Sequence, residues 1–203
     1  MFRKNLFFLL LLFIIKPGYG QQKDYAWPLP EKWVQEIIPF PLKFAPELDY
    51  RGIEEIHFMP GWRGNDSLPH QKWSYTFIWY LDTVVNFDAD KLEMDMTLYF
   101  DGLQRWVQKN SLGLFLVNIT PEIKIKRSGK KDPGKFTGTA KILDVFFTNK
   151  PITLNMKICI SLIPDIHKTL VFFELSPKPF RQPVWKELDR HILDFELKPS
   201  SDQ

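Results

Sequence analysis

The chain has 203 residues, 44% of them hydrophobic and 25% charged, a balance that excludes a disordered or fibrous protein and suffices for one substantial core. Its formal net charge of +3 resides in the first twenty residues, where Arg3, Lys4 and Lys16 stand without an acid. Without them the 27 basic residues become 24 against 24 acidic ones, so bulk attraction to nucleic acid or to an anionic membrane is not expected.

Arg3-Lys4, the unbroken apolar run from Leu6 to Ile15 and the small residues Gly18 and Gly20 have the form of a secretory signal peptide. Ten apolar residues are about half of what a bilayer crossing needs. The expectation is cleavage after Gly20 and a periplasmic or secreted protein with no transmembrane segment. Cys159, the only cysteine, cannot form an internal disulfide and reads as a plain strand residue.

Residues 21–50 interleave Pro28, Pro30, Pro39, Pro41 and Pro46 with Tyr25, Trp27, Trp33, Phe40, Phe44 and Tyr50. That composition breaks long helices yet is too apolar to stay in water, and it predicts a strap packed on the domain, with one or two helical turns over Glu31–Ile38. Residues 51–198 read as a single domain and 199–203 as a disordered tail. Ile53–Met59 and Trp73–Leu81 are expected strands, the second placing Trp73, Tyr75, Phe77, Trp79 and Leu81 on its core face. Asp90-Lys-Leu-Glu93 reads as a capping box, and Leu92, Met96, Tyr99, Leu103 and Trp106 behind it recur at helical spacing as far as Lys109.

Leu114–Ile119 is a further strand or an extension of the next. Strands over 122–127, 136–147, 152–161 and 167–175 are separated by turn chemistry at Asp132-Pro133-Gly134, Asn149-Lys150-Pro151 and Pro164-Asp165, which predicts an antiparallel meander. Leu170-Val-Phe-Phe173 is apolar on both faces and should be covered twice, the second cover being either the closing helix, with its stripe Trp185, Leu188, Ile192 and Phe195, or the strap. The fold class is therefore α+β: a curved antiparallel sheet of about six strands on one long helix, in the order ββαββββα, with an N-terminal strap and a C-terminal helix. A sheet rolled round its helix and a flat two-layer sandwich both satisfy this order, and neither carries a function.

The thirteen residues from Pro60 to Lys72 are too many for a minimal hairpin, and long loops often carry function. There Trp62 offers a stacking face, Arg63 a fork for an anion, and Asp66 and His70 could converge with His57 as elements of acid–base work. Against this, Arg63 and Asp66 can simply pair on the surface while Gly61 and Gly64 shape the turn. Two functions stay open. The first is an exported non-catalytic binding or interaction protein, with Trp62, Arg63, Tyr75 and Trp79 around an aromatic-lined pocket or surface, for a small apolar or aromatic-stacking ligand or a protein partner. The second is a small hydrolase, lyase or isomerase using His57, Asp66 and His70.

No metal or cofactor is expected. The four histidines are 13, 97 and 24 residues apart, none forms a short pair on one element, and no Gly-x-Ser-x-Gly elbow exists. The basic cluster Lys124, Lys126, Arg127, Lys130, Lys131 and Lys135 reads as a solvated hairpin edge. Oligomeric state and ligand identity are not set by the sequence.

Overall fold

The computed structural model describes residues 24–62, 72–110, 119–129 and 132–198. The strap opens with β1 (Tyr25–Ala26), turns at Trp33, whose N–H donates to Pro30 O, and continues as β2 (Val34–Pro39). β3 (Gly52–Phe58) and β4 (Tyr75–Leu81) follow, then helix α1 (Ala89–Asn110). Strands β5 (Glu122–Arg127), β6 (Lys135–Leu143), β7 (Pro151–Ile163) and β8 (Lys168–Ser176) form the meander, and α2 (Val184–Leu193) and β9 (Glu196–Leu197) close the chain. Seven strands make one antiparallel sheet in the order β2-β3-β4-β8-β7-β6-β5, and β1 pairs with β9 apart from it.

The α+β antiparallel architecture of the sequence reading holds, with four local corrections. Glu31–Ile38 is not helical, because Val34–Pro39 finds a complete antiparallel ladder on β3, whereas an isolated helix of two turns lies below the length at which helices are stable. The strand expected over 136–147 ends at Leu143. There the buried Asp144 carboxylate accepts the N–H groups of Phe146, Phe147 and Thr148 and the Trp73 indole N–H (2.9 Å), which folds the next residues into a turn. The α1 cap lies two residues earlier than the capping box: Lys91 N–H donates to Asp88 Oδ1 at 2.8 Å. Glu93 consequently points away and accepts Ile125 N–H of edge strand β5 at 2.6 Å. Finally, the two candidate second covers of β8 are both present. The leader, residues 114–118 of the strand expected over Leu114–Ile119, and the tail from 199 lie outside the described residues.

Two apolar layers follow from strand parity. The inner face presents Tyr75, Phe77, Trp79, Val171 and Phe173 to Leu92, Met96, Tyr99 and Phe100 of α1, with Phe77 stacked on Phe173 at 4.3 Å. The outer face presents Ile78, Tyr80, Leu170 and Phe172 to Tyr25 and Trp27 of the strap and to Ile192 and Phe195. At Gly102 on α1 the backbone of residues 44–45 comes so close that a Cβ would stand 2.1 Å from Phe44 O, so only glycine permits this approach.

Asp88→Ala removes the side-chain cap and should cost about 1 kcal/mol of stability, whereas Asp90→Ala should change it by less than about 0.5 kcal/mol. Urea denaturation of the two variants measures the difference, and equal losses would restore the cap to Asp90.

Candidate functional site

Of the expected site residues the structure describes four: Trp62, Tyr75 and Trp79 belong to the inner apolar cluster, and His57 does not. Trp62 packs with Phe58 (4.5 Å), Phe146 and Phe147, and its indole N–H has no hydrogen-bond partner among the described residues. Tyr75 and Trp79, 4% and 0% exposed, lie in the inner core, so a ligand could reach them only by displacing α1. His57 lies on the opposite face of the sheet. Arg63, Asp66 and His70 fall outside the described residues.

What His57 meets instead is a buried polar cluster that spans four elements. Because β3 alternates, Glu55 and His57 share the outer face, and α2 brings His191 down onto them from 134 residues away. His57, Glu55 and His191 are 0%, 1% and 2% exposed. His57 Nε2 is 3.0 Å from Glu55 Oε1, and His57 Nδ1 is 2.6 Å from His191 Nε2. Tyr25 O–H donates to Glu55 Oε2, and the Gln35 amide of β2 donates to Glu55 Oε1. Trp27 stacks on both imidazoles, with ring centroids at 4.0 and 4.8 Å, and donates its indole N–H to His191 O at 2.9 Å.

The contacts admit two arrangements of the protons. His57 Nε2–H can donate to the Glu55 carboxylate, with His57 Nδ1 accepting from His191 Nε2–H and His191 Nδ1 bare; or the Gln35 amide, 3.0 Å away, can give its second hydrogen to His57 Nε2, with His57 Nδ1–H donating to His191 Nε2. In both, His191 Nδ1 is buried and without a hydrogen-bond partner among the described residues. Burial, and then the nearby His57, pull the His191 pKa down from 6.5 to about 3.

Carboxylate, imidazole and imidazole in series are the parts of a general base, but the His191 ring is packed against Trp27 and Trp33 and its terminal nitrogen is buried. Nor is this a metal site. Two imidazole nitrogens on one zinc ion would stand about 3.3 Å apart, whereas these face each other at hydrogen-bond distance. Among the described residues no group of three or more His, Cys, Asp or Glu side chains is arranged to hold a metal ion.

The cluster is one end of a polar row that crosses every strand of the sheet in register: Gln35, His57, Thr76, Glu174, Lys157, Thr137 and Lys126. Beneath α2, Thr76 Oγ1 and Glu174 Oε2 are further buried atoms without a hydrogen-bond partner among the described residues. Burial pushes the Glu174 carboxyl up to about 8, against the lowering influence of Lys157. On the inner face, burial pushes Glu54 up to about 8 although Trp79 (2.8 Å) and Tyr99 (3.3 Å) donate to it.

The sequence signals for this cluster were present but separate. Glu55 and His57 are polar at spacing two within an apolar strand, and His191 follows Leu188 by three on the helix stripe. Nothing local says that the two segments meet.

A shallow groove lies elsewhere, beside α1. Phe44, Pro46 and Glu47 form one wall, Gly102, Arg105, Trp106 and Lys109 the other, and they enclose about 270 Å³. Arg105 is held in place by Asp101 at 2.6 Å and Glu47 at 3.4 Å.

No family model matches the chain, and no curated protein matches it in sequence. Among solved structures it is similar to the solution structure of cyanobacterial PsbP (CyanoP) from Synechocystis sp. PCC 6803, over 88% of this chain and 90% of that one, at 11% identity and a TM-score of 0.39. A likeness at that level transfers neither fold nor function.

A raised carboxyl pKa binds a proton in the folded state that the unfolded chain has released, so its stabilising effect is complete below 4.5 and is lost as pH rises to about 8. Glu54→Gln should therefore reduce the loss of stability between pH 5 and 8 by up to about 1.4 kcal/mol per pH unit, leaving the part due to Glu174. Denaturation curves across that range measure it, and an unchanged slope would mean that Glu54 is ionised in the fold.

Proposed function

We propose that the protein is an exported, non-catalytic interaction protein that works through its surface, with the groove beside α1 as the contact for a segment of a partner protein. The observation that carries this reading is the contrast between the two sides of α1. Toward the sheet, Tyr75, Phe77, Trp79, Met96 and Tyr99 fill the space a pocket would need; away from it, Trp106, Phe44 and Pro46 leave an apolar floor open to solvent. A volume of about 270 Å³ is small for an enclosed ligand site but takes one or two side chains of a docking segment. Arg and Trp are the residue types enriched where such contacts are strong, and Arg105 is already oriented by its two carboxylates.

Export is supported by the leader-like residues 1–20, and no helix among the described residues is long and apolar enough to cross a membrane. The hydrolase reading would need a free nitrogen on His57, and both are engaged, Nδ1 by His191 and Nε2 by Glu55.

A photo-crosslinking residue placed at Glu47 or Lys109 in the native host should give one discrete protein adduct that Trp106→Ala abolishes without lowering the melting temperature. A control at Thr137 should give none. Adducts at Thr137 but not at the groove would refute the surface chosen here. Mass spectrometry of the purified native protein should find Gln21 as the first residue, and a retained Met1 would remove export from the reading.

A further inference from the structure

We propose that the Glu55–His57–His191 relay is a proton-operated latch on the N-terminal strap: uptake of one proton at His191 Nδ1 releases residues 24–33 from the outer face while the seven-stranded sheet and α1 stay folded. The geometry has the three parts such a latch requires. With His57 Nε2–H donating to Glu55, the proton site is a bare nitrogen, buried and without a hydrogen-bond partner among the described residues. The strap is the lid over that site, since Trp27 covers both imidazoles and Tyr25 is tied to the Glu55 carboxylate at the far end of the relay. The strap is also tied apart from the main sheet: β1 pairs with β9 through two residue pairs rather than with a strand of the seven-stranded sheet, and its other ties are the contacts of Asp24 with Tyr80, Lys168 and Lys198 N–H and the rings of Tyr80, Phe172 and Phe195.

A proton on Nδ1 of the closed form would create a buried imidazolium whose new N–H has no acceptor among the described residues. Stacking on Trp27 offsets only part of the cost of burying that charge. Lifting the strap brings water to that N–H and removes the cost.

Among the described residues the charged and titratable groups around the pair are few. Glu55 on β3 attracts an imidazolium but lies beyond the His57 ring; Tyr25 of the strap donates to Glu55; Gln35 of β2 and Trp33 are neutral. On the other flank of α2, Asp189 pairs with Lys157 and faces Glu174. Glu174, its carboxyl pushed up to about 8, already holds its proton across this window, so the Lys157–Asp189 pair keeps α2 in place as pH falls. The strap, not the helix, is therefore the element that moves.

The sign follows from the depressed His191 pKa. The open form takes up a proton below about 6.5 and the closed form only near 3, so closure is complete above 6.5 and weakens as pH falls between those values. One proton in that window raises the opening constant roughly 70-fold between pH 7 and pH 4.5.

Hydrogen exchange of the full-length mature protein, corrected for the intrinsic pH dependence of amide exchange, should show that rise for residues 24–33 and 196–198 and not for α1 or β7. His191→Gln should flatten it. In the native protein, nitrogen NMR of the imidazoles should find His191 protonated at Nε2 and bare at Nδ1 at pH 7. A strap whose exchange ignores pH, a parallel rise in α1, a pH dependence that survives His191→Gln, or a hydrogen on Nδ1 at pH 7 would each overturn the latch. Should His191→Gln not fold, the native-chain measurements still decide. None of these outcomes touches the groove beside α1, so the latch and the proposed function stand or fall separately.

Discussion

Strands β4 and β8 lie in the middle of the sheet and are apolar on both faces, and most of the molecule follows from sheltering the second of them. Phe77 and Phe173 face α1, while Ile78, Tyr80, Leu170 and Phe172 face the other way and must also leave water. At about 1.5–3 kcal/mol for each large apolar side chain buried, the outer cluster with Tyr25 and Trp27 accounts for roughly 10 kcal/mol, the scale of a domain's whole net stability. The strap and α2 are for that reason parts of the fold rather than additions to a finished sheet.

The same need explains how a polar relay came to be dry. A strand has one parity for each face, so a cover laid over Ile78 and Phe172 also closes over the polar row that shares their face. Glu55 and His57 tolerate this because each polar atom finds a partner, Tyr25 and Gln35 completing the carboxylate. The chain of donors ends at His191, where the tolerance ends too. Buried polar groups with one member unsatisfied are costly, and here the cost falls on a group that water and a proton can relieve.

Much of the fold was legible in the amino acids. The alternation Trp73–Leu81, the helical spacing from Leu92 to Trp106 and the turn chemistry between the meander strands placed the inner layer, and the two-faced apolar run Leu170–Phe173 called for the outer one. What could not be read was decided by partners distant in sequence. Val34–Pro39 becomes a strand only because β3 offers it a free ladder, and Asp144 ends β6 because the Trp73 indole and three nearby amides converge on it. The candidate site was legible only in pieces: His57 was singled out, but it was assigned to the loop that follows it rather than to a helix 134 residues further on. Trp79 and Tyr75 showed the parity of core residues, and the core is where they are.

β1 and β9 join the first and last segments of the described chain, with Tyr25 opposite Leu197 and Ala26 opposite Glu196. Most of the described chain separates these partners, so among the described strand pairings this one closes the longest loop. During synthesis the inner layer can assemble as soon as β8 has emerged, but the aromatic strap has no berth until α2 and β9 are released. Completion of the outer layer thus waits on residues 184–197, and the nascent chain carries Tyr25 and Trp27 uncovered until they emerge.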